Sequence, residues 1–332
     1  MGTITLARPA ARMRWSWPSL LELLNVLFNQ IIILFVWMLA GALLFSQLAR
    51  YSWLADLAAS FRSQQLILLV GGLMLALGRR LYGTAGIATI LFLSAGAVYW
   101  PYMGAASGGP AGSPDVTILS HNVYIGNRDF AAIRAEIEAA DADLVLLMEA
   151  TPELGQFLAE LADYPYRAER TDYSSSGLIL LSRYPFSLTD DPLLTANLRS
   201  YFLAEVAGPA GPFRFLGTHT FAPVRPYAWA LRNDELPVLA AFASAQTGPL
   251  VIAGDLNVAS SSPHFQEMLA TGALQDGRSG QGLLPSWPAA AGRLAVPIDH
   301  VLTRGGVTVS ELETLAPAGS DHRPLLAGLH FS

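Results

Sequence analysis

The chain contains no cysteine, which removes disulfides and thiolate metal ligands and leaves the redox compartment unreadable from thiol usage. Lysine is missing as well, so every basic side chain is an arginine. Charge of either sign is scarce. Only 14% of the 332 residues are charged and the mean hydropathy is +0.38, which is unusual for an ordinary soluble enzyme. From residue 104 onward 13 arginines face 24 carboxylates, a net charge of −11. Such a surface does not draw long polyanions by its net charge, which argues against general nucleic-acid binding and leaves a local cationic or metal-bearing cleft open.

The hydrophobic excess is concentrated in the first third, where residues 23–49, 63–78 and 81–114 carry no charged side chain. A bilayer core about 30 Å thick needs roughly 20 apolar residues at about 1.5 Å rise each. Val26 to Leu48 supplies that length, as does Ala85 to Tyr102, which ends on the interfacial aromatics Trp100 and Tyr102. Ser63 to Gly78 is shorter, and a buried or re-entrant segment is its alternative reading. A cleaved signal peptide would have a far shorter apolar stretch, not followed by two more. Arg8, Arg12 and Arg14 precede the first span and Arg79 and Arg80 separate the second from the third, whereas only Arg50 and Arg62 lie in the first loop. The positive-inside rule then predicts three spans, a cytoplasmic amino terminus and an extracytoplasmic carboxy-terminal domain; with the short span not crossing, that domain would be cytoplasmic. The expected setting is a multi-pass protein of a bacterial inner membrane, with the lipid bilayer as partner through its N-terminal helices.

Residues 1–103 thus read as an anchor, 104–114 as a Gly/Ser/Pro/Ala linker, and 115–332 as a globular domain. No internal repeat of 20 to 50 residues is present. Strand patterns fall at Val116–Val123, Leu144–Met148, Gly177–Ser182, Tyr201–Ala207, Phe213–Thr218, Leu250–Ala253, Val296–Leu302, Val307–Leu312 and Pro324–Phe331. Helical patterns fall at Asp129–Ala140, Pro152–Leu161, Tyr227–Ala245 with Pro237 interrupting, and His264–Ala270. Many strands with helices between them point to an α/β sandwich, its sheets face to face and its helices outside.

Polar residues recur where these strands end or are interrupted. Asn122, Glu149, His219, the pair Asp255 and Asn257, then Asp299 with His300, and Asp321 with His322 all occupy such places. Taken singly each has a bland reading: Asn122 as a turn residue, Asp255 and Asn257 as helix caps, Glu149 as a solvated strand end, His219 as a satisfied histidine. Together they form a set of hard oxygen donors and imidazoles that suits Mg²⁺ or Mn²⁺ better than a structural zinc.

The order of these elements resembles the endonuclease/exonuclease/phosphatase superfamily, with its pancreatic-deoxyribonuclease-like fold. The elements are Ser120-His121-Asn122, Leu146-Leu147-Met148-Glu149, Gly177 through Leu181-Ser182-Arg183-Tyr184-Pro185, Gly217-Thr218-His219, Gly254-Asp255-Leu256-Asn257, Ile298-Asp299-His300 and Ser320-Asp321-His322-Arg323-Pro324. The resemblance spans residues 115–332 and implies a four-layer α/β sandwich of two packed mixed sheets flanked by helices, preceded here by N-terminal transmembrane helices. It implies Glu149 as principal Mg²⁺ (or Mn²⁺) ligand, with Asn122 and Asp321 as further ligands or water holders. Asp255 would orient or deprotonate the attacking water, Asn257 would hold it and touch the phosphate, and His322, steadied by Asp299, would contact the phosphate. His219 would donate a hydrogen bond or proton toward phosphate or leaving group. Asn122 and Arg183 join Asn257 and His322 as candidate substrate contacts. Met148 stands where the family commonly has Gln, and His121 where it commonly has an aromatic residue.

Arg183 has a surface salt bridge as its equal alternative, Arg232 reads rather as structural or solvated, and Tyr124, Tyr173 and Trp229 are further cleft candidates. The expected activity is metal-dependent hydrolysis of a phosphate ester, with a phosphodiester of nucleic acid or phospholipid ahead of an inositol-phosphate-type phosphomonoester. A non-catalytic membrane sensor or scaffold reusing the fold is the rival reading.

Overall fold

The structure is a computed structural model that describes residues 20–104 and 112–332, so the linker expected at 104–114 and the arginines at 8, 12 and 14 lie wholly or mostly outside the described residues. Among the described residues the amino-terminal part has four helices: α1 (Leu20–Phe45), α2 (Trp53–Ser60), α3 (Arg62–Gly78) and α4 (Tyr82–Gly96). Short 3-10 turns, Ser46–Leu48 and Ala97–Tyr102, extend α1 and α4. Two of these units are long and apolar enough to cross a membrane, Leu20–Leu48 and Tyr82–Tyr102; there are three if α2 and α3, bent by 62°, count as one span.

The helices run back and forth. Arg79, just past the end of α3, bonds Asn25 and Asn29 in the first half of α1, whereas Ala49, Gln64 and Tyr102 all bond the carboxy-terminal domain. One end of the bundle therefore carries Arg79 and Arg80 and the other meets the domain.

That domain continues as β1 (Val116–Asn122), α5 (Phe130–Ala140), β2 (Leu144–Met148), α6 (Pro152–Leu158), β3 (Tyr166–Arg170) and β4 (Leu178–Ser182). Next come β5 (Phe186–Thr189), α7 (Pro192–Asn197), β6 (Tyr201–Gly208), β7 (Gly211–Thr218) and α8 (Pro226–Ala245). The last elements are β8 (Leu250–Asp255), α9 (Pro263–Gly272), β9 (Gln275–Asp276), β10 (Asp299–Arg304), β11 (Val307–Thr314) and β12 (Leu325–Phe331). They build two six-stranded mixed sheets, ordered β11-β12-β1-β2-β4-β3 and β5-β6-β7-β8-β10-β9, with β1 parallel to β2 and β7 parallel to β8.

Strand periodicity of two sends alternate side chains to different cores. Along β2, Leu144, Leu146 and Met148 join Ile118, Leu180, Phe215, Val251 and Val301 between the sheets, while Val145 and Leu147 join Ile133, Ile137, Leu154 and Leu158 under α5 and α6. A third cluster packs Leu216 and Ile252 against Leu236, Leu239, Phe242, Phe265 and Met268 of α8 and α9. The result is the four-layer sandwich. Helix starts follow the capping rules: Asp129, Thr151 and Ser262 each accept a backbone N–H from the first turn of α5, α6 and α9.

Pro237 does not interrupt α8, which runs unbroken from Pro226 to Ala245 because its Leu236, Leu239, Phe242 and Ala243 are held in the core on both sides of the proline. Strand β10 begins at Asp299 rather than at Val296, which bridges to Trp287 instead.

Candidate active site

The register of the paired strands brings the predicted residues to one end of the sandwich. Asn122 ends β1 opposite Met148, and Asp255 ends β8 opposite Asp299 at the start of the antiparallel β10. His219 follows β7, which is parallel to β8, and His322 precedes β12, which is antiparallel to β1. A cavity of about 330 Å³ opens there, lined by Glu149, His219, Asp255, Asn257, Asp321 and His322 among others.

The contacts are tight. The Asn122 side-chain amide donates to Glu149 Oε1 and to Asp255 Oδ2, each at 3.1 Å, and its oxygen accepts the Tyr124 backbone N–H. Glu149 Oε2 accepts the Ile125 backbone N–H at 2.9 Å. Asp255 Oδ1 accepts the Asn257 N–H at 2.8 Å, and Asp255 Oδ2 lies 3.6 Å from His219 Nε2 and 3.7 Å from His322 Nε2. The other nitrogen of His322 meets Asp299 Oδ2 at 2.9 Å, and the Ser320 hydroxyl ties the loop together by donating to the Asn122 carbonyl and accepting the His322 N–H. Asp321 stands at the rim, with Trp287 Nε1 donating to its carboxylate at 2.9 Å.

Backbone conformation shows how firmly this end is held. Tyr124, Glu149 and Asn257 all have positive φ (64°, 57° and 49°), a conformation that costs non-glycine residues energy and persists only where surrounding contacts enforce it. Gly254, at φ +143°, sits so close to β7 that a Cβ there would stand 1.8 Å from the Thr218 carbonyl oxygen. Glycine is what lets Asp255 approach His219. The Met148 sulfur, in place of the family's usual Gln, accepts the Asp255 backbone N–H at 3.0 Å. His121 points to the opposite face, its Nδ1 2.7 Å from Glu136 Oε1.

Burial and charge set the electrostatics. Desolvation is the main force on His219, lowering its pKa to about 3 and leaving the ring neutral. On His322 desolvation acts the same way, but Asp299 and Asp255 overcome it and raise the group to about 10. Desolvation, then the nearby Asp299, pushes Asp255 upward; the same burial would raise Asp299, yet His322 and Ser286 hold it below the usual carboxylate range.

Whether the residues suit a divalent cation is decided by charge. Glu149, Asp255 and Asp321 line one cavity and Asp299 backs it, and among the described residues none of the four forms an ion pair with an arginine. Converging carboxylates with no paired arginine are what a hard cation neutralises. The tightest grouping, Asp255, Asp299 and His322 with ligand atoms within 4.8 Å of one another, differs from the expected ligand set of Glu149, Asn122 and Asp321. That grouping includes a nitrogen donor, His322, so the carboxylate oxygens of Glu149 and Asp321 in the same cavity suit a hard ion better.

One predicted contact lies elsewhere. Arg183 follows β4, which is antiparallel to β2, so Ser182 pairs with Leu144 at the far end of the sheet from Glu149. There Arg183 pairs with Asp141 and lies over the Tyr164 ring, and it cannot reach substrate at this site. Arg232 is buried and paired with Asp56, Trp229 bonds the same carboxylate, Tyr173 bonds Glu153 at the surface, and Tyr124 lines the cavity. Arg199 went unpredicted. It precedes β6, whose first residue pairs with Thr218, and lines the cavity with its guanidinium 4.9 Å over Phe221 and a hydrogen bond to Ser175. An antiparallel strand brings its amino-terminal end to the site, so a search of carboxyl ends passes over it.

The sequence pattern described as the Endonuclease/Exonuclease/phosphatase family matches residues 119–322, more than half of the chain. This chain belongs to that family. Members of the endonuclease/exonuclease/phosphatase family are divalent-metal-dependent phosphoesterases, which agrees with the cation-seeking carboxylates. No curated protein matches the sequence. Solved structures share the fold. An endonuclease/exonuclease/phosphatase from Beutenbergia cavernae is 20% identical, with TM-score 0.52 over 66% of this chain and 72% of that one. D. rerio TDP2 complexed with single-strand DNA product is 16% identical, with TM-score 0.51 over 65% and 98%. The 3' phosphatase NExo from Neisseria bound to product DNA hairpin is 15% identical, with TM-score 0.50 over 65% and 99%.

Proposed function

We propose that the chain is a membrane-anchored phosphodiesterase dependent on Mg²⁺ or Mn²⁺, with its catalytic face outside the cytoplasm. The observation that carries the reading is the convergence of Asn122, Glu149, His219, Asp255, Asn257 and His322 on one cavity. The anchor reading rests on the apolar helices and on Arg79 and Arg80 lying at the bundle end opposite the domain.

Glu149, hydrogen-bonded by Asn122, and Asp321 at the rim of the same cavity would hold the cation, which supplies charge neutralisation on the phosphoryl oxygens when bound. Asp255 accepts the Asn257 N–H on Oδ1 and the Asn122 amide on Oδ2, and the remaining lone pair of Oδ2 would orient and deprotonate a water. His322, with Nδ1 held by Asp299, presents Nε2–H to a phosphate oxygen, and a carboxylate partner of this kind fixes the ring's orientation and favours its charged form. Neutral His219 offers an N–H to the phosphate or to the departing oxygen, and Arg199 adds the nearest guanidinium on the cavity wall.

The test is hydrolysis of bis(p-nitrophenyl) phosphate by the full chain in detergent, with Mg²⁺, with Mn²⁺ and with a chelator. Turnover that requires the metal and is lost in Asp255→Asn supports the reading; chelator-insensitive turnover, or an active Asp255→Asn protein, removes it.

A further inference from the structure

The cavity is not built by the catalytic domain alone. Its polar floor is Glu149, His219, Asp255 and His322, but one wall is Trp53, Leu57 and Phe61, from α2 and the residue just after it, facing Val224. Helix α2 is fastened there. Asp56, buried on its inner face, accepts Ser262 Oγ at 2.7 Å and Trp229 Nε1 at 3.2 Å and pairs with Arg232, whose other terminal nitrogen donates to the Asn257 carbonyl at 2.7 Å. Trp53 Nε1 donates to the Pro223 carbonyl at 2.6 Å, the Ser261 hydroxyl to the Ala59 carbonyl at 2.8 Å, and Gln64 to the Leu294 carbonyl at 2.8 Å. A phosphate-ester site so placed has apolar side chains of the anchor as its neighbour.

That wall continues outward. Phe61 and Val224 of that wall are themselves exposed, as are Leu54 on α2, Tyr227 in the first turn of α8, Leu294, whose carbonyl Gln64 bonds, and Trp100 at the domain end of α4. An aqueous polyanion gains nothing from such a surface, and the domain's net charge of −11 repels it. A hydrocarbon chain emerging from the cavity gains from every methylene it lays there.

We infer that the substrate is an amphipathic phosphate ester of the membrane, its phosphate on the polar floor and its long apolar chain along Trp53, Leu57, Phe61 and Val224 toward the bilayer. The inference rests on the hydrolase reading above. The reaction is simple hydrolysis: a water oxygen bonds to phosphorus, the ester P–O bond breaks, and the departing oxygen takes up a proton, with no co-reactant besides water. Trp53, Leu57 and Phe61 would set specificity by contact with the chain; they do no chemistry.

The experiment compares three p-nitrophenyl esters with one reacting centre, on the full chain in detergent with Mg²⁺: ethyl, dodecyl and thymidine 5'-phosphate. The dodecyl ester is expected to exceed the ethyl ester in kcat/KM by at least about tenfold, since each methylene leaving water adds roughly a factor of four. That ratio is expected to fall by about tenfold in Leu57→Ser and in Phe61→Ser. A wall that only supports the fold would lower both substrates in proportion and leave the ratio unchanged. Equal rates for the two alkyl esters, a ratio unmoved by both substitutions, or preference for the thymidine ester would overturn the inference while leaving the hydrolase reading intact. Absence of metal-dependent turnover of all three would overturn that reading and the inference with it. The comparison on the unsubstituted chain decides the point even if a variant does not fold.

Discussion

Asp56→Ala is the most demanding stability test, because it isolates one buried charge pair between the amino-terminal helices and the carboxy-terminal domain. The Asp56 and Arg232 side chains are 2% and 1% exposed, so neither charge is relieved by water. Removing the carboxylate leaves the guanidinium with the Asn257 carbonyl as acceptor and with Nε unpartnered. The other carboxylate nearby, Glu235, already accepts the Arg199 and Phe221 backbone N–H groups. Breaking a buried pair from one side costs about 3–5 kcal/mol, which for a domain of this size lowers the apparent Tm by roughly 6–20 °C. The matched control is Glu267→Ala, whose partner Arg50 and itself are each about half exposed, where the loss should not exceed about 1 kcal/mol. Thermal unfolding of the three proteins in one detergent reads the difference. Asp56→Ala melting with Glu267→Ala would refute the docking of α2, and the Arg232→Met companion should recover part of the loss if the penalty is the orphaned charge.

Glu149→Gln should lower metal-dependent turnover by about 10²-fold or more while leaving the melting temperature near that of the parent, and an active, chelator-sensitive variant would remove Glu149 from the site. Gly254→Ala should fail to accumulate as folded protein, because its Cβ meets the Thr218 carbonyl oxygen, which belongs to the backbone and has nowhere to go; a normal melting curve would contradict that register. Arg183→Ala should keep turnover within about twofold and cost no more than about 1 kcal/mol, as befits a surface pair with Asp141. Arg199→Gln should raise KM for a phosphodiester more than it lowers kcat, and the reverse split would move Arg199 from binding to transition-state stabilisation.

Much of this was legible in the primary structure where burial dictates pattern. Leu144–Met148 reads as a strand because both its faces are covered, and Asp129 announces α5 because a carboxylate in that place satisfies a free N–H. The six strand-end groups were visible because chemistry requires polar residues at the mouth of an otherwise apolar sheet. Edge elements were not: β3 and β5 are short and largely exposed, with too little apolar alternation to stand out, and β9 has only two residues. Arg183 was misplaced for a topological reason, since only pairing reveals that β4 runs against β2. The role of α2 escaped for another. WLADLAAS reads as loop between two apolar runs, and nothing local says that Asp56 will find Arg232, 176 positions along the chain.

The account stands on a shared cation site formed by residues scattered from Asn122 to Asp321, and calorimetric titration of the full chain with Mn²⁺ reads it without any substrate. Saturable binding to the parent protein, weakened at least about tenfold in Glu149→Gln and little changed in Arg183→Ala, is the predicted result. A parent protein that takes up no Mn²⁺, or a Glu149→Gln variant that binds it as tightly, would contradict the account.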